Sequence, residues 1–253
     1  MNRYIAAPQK ASKNKGLFLI SVLCFVVGAI IRIGYCLKYP VQPRDAYKYL
    51  DMIEKWEESG RIGEVISFYP LSLWILKAPK HFFDYDLLKG GISINILIGL
   101  LLLLIIINVS YNIFHDLLLS LIIGLIVAAH PMLVQSSCAF LRENPYLFFS
   151  FITLVFLVEY YIKKSWISIA ASGIFGALAF LCRVEGIEVF LFVAFIMLWF
   201  FLKKRTLKGV YFFHMLLFAV CFALCFMIVC HILSFEFLPL NLIFNKIDME
   251  MPD

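Results

Sequence analysis

Charge is scarce in this chain: Asp, Glu, Lys and Arg make up only 15% of 253 residues, against roughly 25% in soluble domains. So little charge cannot dress a water-exposed surface. With 63% hydrophobic residues and a mean hydropathy of +0.92, a soluble globular domain and a disordered chain are both excluded. No basic stripe interleaved with aromatics occurs, so the net charge of +5 is not a nucleic-acid footprint and no nucleic-acid partner is expected. No CxxC spacing occurs among the seven cysteines, so neither a zinc site nor a disulfide framework is indicated, and no metal or other cofactor is expected. A Gly-rich phosphate loop is missing, as are solenoid repeats and low-complexity tracts.

What the chain has instead is long, continuous apolar runs. Seven can be counted, approximately Gly16–Leu37, Ile92–Val109, Leu117–Val134, Pro145–Tyr161, Trp166–Cys182, Ile187–Leu202 and Gly209–Ser234. Each approaches the ~20 residues that cross ~30 Å of hydrocarbon as a helix. Strands of a β-barrel would be shorter and would alternate. The expected fold is an all-α polytopic membrane bundle of about seven spans, a single module over 1–253 with membrane lipids around it. The first run is too long, and lacks a small-residue cleavage site, for a cleaved signal peptide.

Basic residues orient the chain. Arg3, Lys10, Lys13 and Lys15 stand unopposed before the first run, Lys163 and Lys164 follow the fourth, and Lys203, Lys204, Arg205 and Lys208 follow the sixth. All fall on one side, assigned to the cytoplasm. The long segment 38–90 and the turns at Arg142-Glu143 and Arg183–Glu185 then share the outer side. Segment 38–90 carries eight basic and eight acidic residues and is neutral overall.

Within that outer loop, Arg44–Glu58 reads as a helix ending at Gly60, with Pro43 suited to its start. Ala46, Tyr49, Leu50, Ile53 and Trp56 recur at helical spacing on an apolar face, and Lys48, Asp51, Lys55 and Glu58 line the wet one. Asp45 lies at helical spacing from Tyr49, Met52 and Trp56, so its carboxylate is expected to turn toward protein or interface rather than bulk water. Two readings of it stand side by side: an offset to the helix dipole in the first turn, or a functional carboxylate. Pro70 suits the start of a second surface helix that seals the first. Tyr69, just before it, is a candidate for contact with a substrate.

Arginines on the outer side run against the positive-inside trend, so Arg142 and Arg183 call for an anionic partner. That partner is either a substrate or the nearby Glu143 and Glu185, each Arg pairing with its own Glu. Arg32, near the outer end of the first run, is expected to snorkel to the headgroups. Asn95 is expected to hydrogen-bond between helices.

These residues carry a resemblance. Pro43-Arg44-Asp45-Ala46-Tyr47-Lys48-Tyr49-Leu50 in a large outer loop, then Phe68-Tyr69-Pro70-Leu71, Ala129-His130-Pro131-Met132-Leu133-Val134 with Leu141-Arg142-Glu143, and Leu181-Cys182-Arg183-Val184-Glu185-Gly186 together resemble the C-superfamily membrane glycosyltransferases. The branch is that of the bacterial relatives of protein O-mannosyltransferases and lipid A aminoarabinose transferases, and the likeness spans residues 16 to about 235. It implies a multi-pass protein of the bacterial inner (plasma) membrane, a polyprenyl-phosphate-linked sugar donor, and Asp45 as catalytic base. Arg142 and Arg183 would hold the donor phosphate, with Tyr49, Tyr69, Glu143 and Glu185 in the substrate site. Family members usually continue past the seventh span, so a truncated module needing a partner protein is also expected. The tandem acidic pair of some members is replaced here by Arg44-Asp45. A non-catalytic scaffold and, less favoured, a transporter are the alternatives. Against transport, the charges lie at span ends and no inverted repeat is visible.

Overall fold

The computed structural model describes residues 6–59, 70–203 and 208–233. Among these are ten α-helices and no strand: α1 (Ala6–Lys38), α2 (Arg44–Ser59), α3 (Pro70–Phe83), α4 (Leu87–Phe114), α5 (Leu117–Ala129), α6 (Pro131–Ser137), α7 (Glu143–Lys163), α8 (Trp166–Cys182), α9 (Gly186–Lys203) and α10 (Lys208–Ile232). Five helices are long and apolar enough to cross a membrane, or six if α5 and α6 form one bent span. The chain is an all-α polytopic membrane protein. The fifth of the seven apolar runs, α8, is a shorter apolar helix of 17 residues rather than a full-length span.

Helix ends are set by local chemistry. Asp86 caps α4 by accepting from the Lys89 amide at 2.8 Å, and Asp116 caps α5 by accepting from Leu118 N at 2.8 Å and Leu119 N at 3.1 Å. His115, with φ of 54°, ends α4 in a left-handed turn, so two residues suffice to reverse the chain.

Two packing units result. In one, Cys24 of α1, Leu100, Leu103 and Ile107 of α4 and Ala128 of α5 form a buried cluster. In the other, α8 lies against α7, α9 and α10. Its buried face is built from small residues, among them Ser168, Ser172, Gly173, Gly176 and Ala177, so backbones approach closely. A Cβ added at Gly173 would sit 2.6 Å from the Phe218 carbonyl oxygen. Where α7 turns into α8, Lys164 takes a φ of 55° and sets its Nζ 4.4 Å from the Tyr161 ring centroid and 5.5 Å from those of Tyr160 and Phe200.

The third apolar run departs from the uninterrupted span expected. It breaks at His130 and bends by 55°. Pro131 has no N–H for the ladder and pushes His130 into an extended conformation (φ −61°, ψ 119°). Arg32 bridges the break. It is 1% exposed rather than snorkelling, donating from Nη1 to the Ala128 carbonyl and from Nε to Ser137 Oγ, each at 3.2 Å. The Ala128 carbonyl and Ser137 hydroxyl on either side of the break, with the Gly28 carbonyl in α1, supply the polar partners that make burial tolerable.

The two helices of segment 38–90, α2 and α3, cap one end of the bundle. Ala46, Tyr49 and Ile53 are buried with Leu73, Leu76, Phe140 and Leu233, while Lys48, Asp51, Lys55 and Glu58 are exposed, as the spacing predicts. Glu57 on α2 pairs with Lys80 at 2.6 Å and Lys77 at 3.4 Å on α3, and Lys77 also lies 4.3 Å from the Trp56 ring centroid.

Two outcomes are expected from this packing. Arg32→Met should lower stability by on the order of 3 kcal/mol, because it orphans buried acceptors; unfolding followed by tryptophan fluorescence in detergent measures it. Gly173→Ala should cost about 1–3 kcal/mol by overpacking, whereas Gly34→Ala, with nothing within 4 Å of its added Cβ, should be neutral or slightly stabilising.

Candidate functional site

The α2–α3 cap and the turns after α6 and α8 meet at one end of the bundle. The meeting depends on how segment 138–142 is pinned. Asn95, buried near the start of α4, donates from Nδ2 to the carbonyls of Ala139 (2.7 Å) and Leu141 (2.8 Å), so its side chain ties down the turn between α6 and α7 rather than bonding to another helix as expected. Asn144 donates to the Asn95 carbonyl and to Ser137 Oγ, both at 2.9 Å. Gln42, in the link before α2, donates to Cys138 O at 3.4 Å and accepts from Phe140 N at 2.9 Å. A loop tied at five backbone and side-chain points holds Arg142 and Glu143 at a fixed place at the start of α7.

Arg183 ends α8 in an extended conformation, and Glu185 follows in the turn into α9. The guanidinium binds Glu185 in a two-pronged fork, Nη2 to Oε1 at 2.6 Å and Nε to Oε2 at 3.1 Å. Its Nη1 reaches across to Glu143 Oε1 at 2.9 Å. Arg183 thus joins both turns, where sequence reasoning weighed pairing with its own Glu against an outside anion. The second oxygen of Glu143, Oε2, is buried and has no hydrogen-bond partner among the described residues. The Arg183 guanidinium lies 5.7 Å from the Tyr146 ring centroid, and that of Arg142 lies 5.6 Å from Tyr49.

Asp45 reaches this cluster from α2, but not in the way expected. Its side chain is 59% exposed and pairs with Lys48 at 2.9 Å. The buried stripe of α2 runs through Ala46, Tyr49 and Ile53, one residue off, and in the first turn a side chain tilting toward the helix start meets no preceding turn. Lys48 holds the Asp45 carboxyl below the ordinary carboxylate range, with smaller contributions from the charges of Arg142 and Arg44. Asp45 is therefore a carboxylate at neutral pH with an exposed side chain.

Arg142 is the common neighbour. Its charge acts on Asp45 on one side and on Glu185 on the other, while its guanidinium lies over Tyr49. The structure therefore gathers six of the seven candidate residues, Asp45, Tyr49, Arg142, Glu143, Arg183 and Glu185. Tyr69 lies outside the described residues. Gln42, Ser137 and Asn144, which hold the framework, were missed from sequence. The Asn-Pro pair at 144–145 was the available signal for one of them, and nothing marked Gln42. Among the described residues no group of His, Cys, Asp and Glu is placed to hold a metal ion.

Comparisons with protein-family models, with curated proteins and with solved structures find no match to this chain.

The Arg183 fork pushes the Glu185 carboxyl from an ordinary 4.5 down to about 2. A carboxylate depressed in the folded state stabilises the protein above its unfolded value and loses that contribution as pH falls through the folded one. Melting temperatures in detergent should accordingly drop between pH ~4.5 and ~2, and Glu185→Gln should flatten that part of the profile. A Glu185→Gln curve parallel to wild type would show that the fork does not contribute.

Proposed function

We propose that the chain is a membrane glycosyltransferase that moves a sugar from a polyprenyl-phosphate donor to an acceptor at the outer face of a bacterial inner membrane, with its N-terminus in the cytoplasm. The observation that supports this most is the convergence, at one end of an apolar helix bundle, of a solvent-reachable carboxylate (Asp45), an arginine within its field (Arg142) and a second arginine (Arg183) fixed by two carboxylates. Lys163, Lys164 and Lys203 mark the opposite end, in keeping with a cytoplasmic side.

In this reading the donor's lipid tail lies among the spans and its phosphate meets Arg142 and Arg183. Each terminal nitrogen of Arg183 gives one hydrogen to a carboxylate and keeps the other for a phosphate oxygen. Glu143 and Glu185 orient the fork before the donor arrives, so positive charge stands ready where charge grows on the leaving phosphate. Asp45 takes the proton of the acceptor's hydroxyl or amine. The acceptor atom bonds to the anomeric carbon as the bond from that carbon to the phosphate oxygen breaks, and the lipid phosphate departs with the bonding pair. One displacement inverts the sugar carbon. Tyr49 supports Arg142 from below, and Tyr69 would lie beside the acceptor.

One observation favours a second reading, a non-catalytic scaffold. Two carboxylates on Arg183 also make a salt-bridged clasp between the α6–α7 and α8–α9 turns. Asp45→Asn separates the two. A transferase should lose at least about 100-fold in sugar transfer from a polyprenyl-phosphate sugar in proteoliposomes, with its melting temperature little changed. A scaffold should show no transfer in wild type, tolerate Asp45→Asn, and co-purify with a partner protein.

A further inference from the structure

We propose that Cys36 and Cys138 are a redox-active pair, a modification site at which a disulfide joins the last turn of α1 to the turn after α6. The residues are 102 apart in sequence, yet the Cys36 thiol reaches residue 138 directly, donating to its backbone carbonyl. Cys36 Sγ lies 3.9 Å from the Cys138 carbonyl oxygen, and Cys138 Sγ donates to the Arg32 carbonyl at 3.1 Å, one helical turn below Cys36. Both backbones are held. Cys138 N bonds to the carbonyls of Val134 and Gln135 at 3.1 Å, and Gln42 grips its carbonyl. Neither sulfur has far to travel.

The remaining cysteines lack this arrangement. Cys221 and Cys225 lie one turn apart on α10, where helical geometry holds Cβ atoms about 5–6 Å apart, wider than the about 3.5–4.5 Å a disulfide takes. Access also favours the pair. A cavity of about 180 Å³, lined by Tyr35, Tyr39, Gln42, Pro43, Gln135 and Cys138 among others, opens beside it. Cys36 is half-buried and Cys138 buried, so Cys36 reacts first and Cys138 resolves. The oxidant is a disulfide, R–S–S–R. The Cys36 thiolate attacks one of its sulfurs and expels one thiolate. The Cys138 sulfur then attacks Cys36 Sγ and expels the second. Two electrons leave the protein pair, the two thiol protons end on the two released R–SH molecules, and one S–S bond forms. On the topology proposed above the pair lies at the oxidising side of the membrane, but the chemistry does not depend on that orientation.

Oxidised glutathione applied to the full chain in detergent, followed by alkylation, proteolysis and mass spectrometry, tests the proposal. A Cys36–Cys138 linked peptide, two hydrogens lighter than its separate halves and abolished by dithiothreitol, is expected in wild type. It should also form in Cys221→Ser and be absent in Cys36→Ser and in Cys138→Ser. The melting temperature of the oxidised chain should rise by several degrees and return on reduction. A lasting glutathione adduct on Cys36 with Cys138 still open to alkylation would overturn the pair, as would two unreacted thiols in folded wild type.

Discussion

The buried guanidinium of Arg32 is the constraint on which the site-bearing end of the molecule rests. A cation sealed among apolar helices persists only if its hydrogen bonds are met, and here they are met by the Ala128 carbonyl and the Ser137 hydroxyl at the α5–α6 break, with the Gly28 carbonyl one turn back in α1. The dependence is mutual. Pro131 breaks the run, the break frees acceptors, and Arg32 consumes them. Ser137, one of its partners, is shared with Asn144, and Asn144 is shared with Asn95. A chain of polar contacts thus runs from the first span to the turn that presents Arg142 and Glu143.

Downstream of that chain, the charges are arranged in a graded way. Arg183 is tightly engaged, between two carboxylates from two different turns. Arg142 spreads its field over Asp45 and Glu185 while resting against an aromatic ring. Asp45 faces water. Of the three, Asp45 is the one whose side chain is mostly exposed.

The sequence made the class of fold plain because long apolar runs leave no other way to satisfy backbone groups in lipid. It also placed the α2 face, since Ala46, Tyr49 and Ile53 obey the helical period and are buried. It located the two charged turns, because ionisable residues stand out against an apolar background. It failed where meaning depends on distant partners. Arg32 looked like a snorkelling residue because its acceptors lie about a hundred residues away, at Ala128 and Ser137. Asp45 looked half-buried because spacing alone ignores that the first turn has no turn before it. The pairing of Arg183 with Glu143 spans 40 residues and is set by α7 and α8 running antiparallel, which no local pattern encodes.

The length of α8 has a consequence of its own. Seventeen residues rise only about 25 Å, less than the ~30 Å hydrocarbon slab. A helix of that length does not reach both surfaces of such a slab. Each terminus bears a cation handled accordingly: the ammonium of Lys164 is wrapped in tyrosine and phenylalanine rings, and the guanidinium of Arg183 is quenched by acids. A rod shorter than the slab thus has both of its terminal cations matched by protein groups, so neither relies on water alone for its solvation.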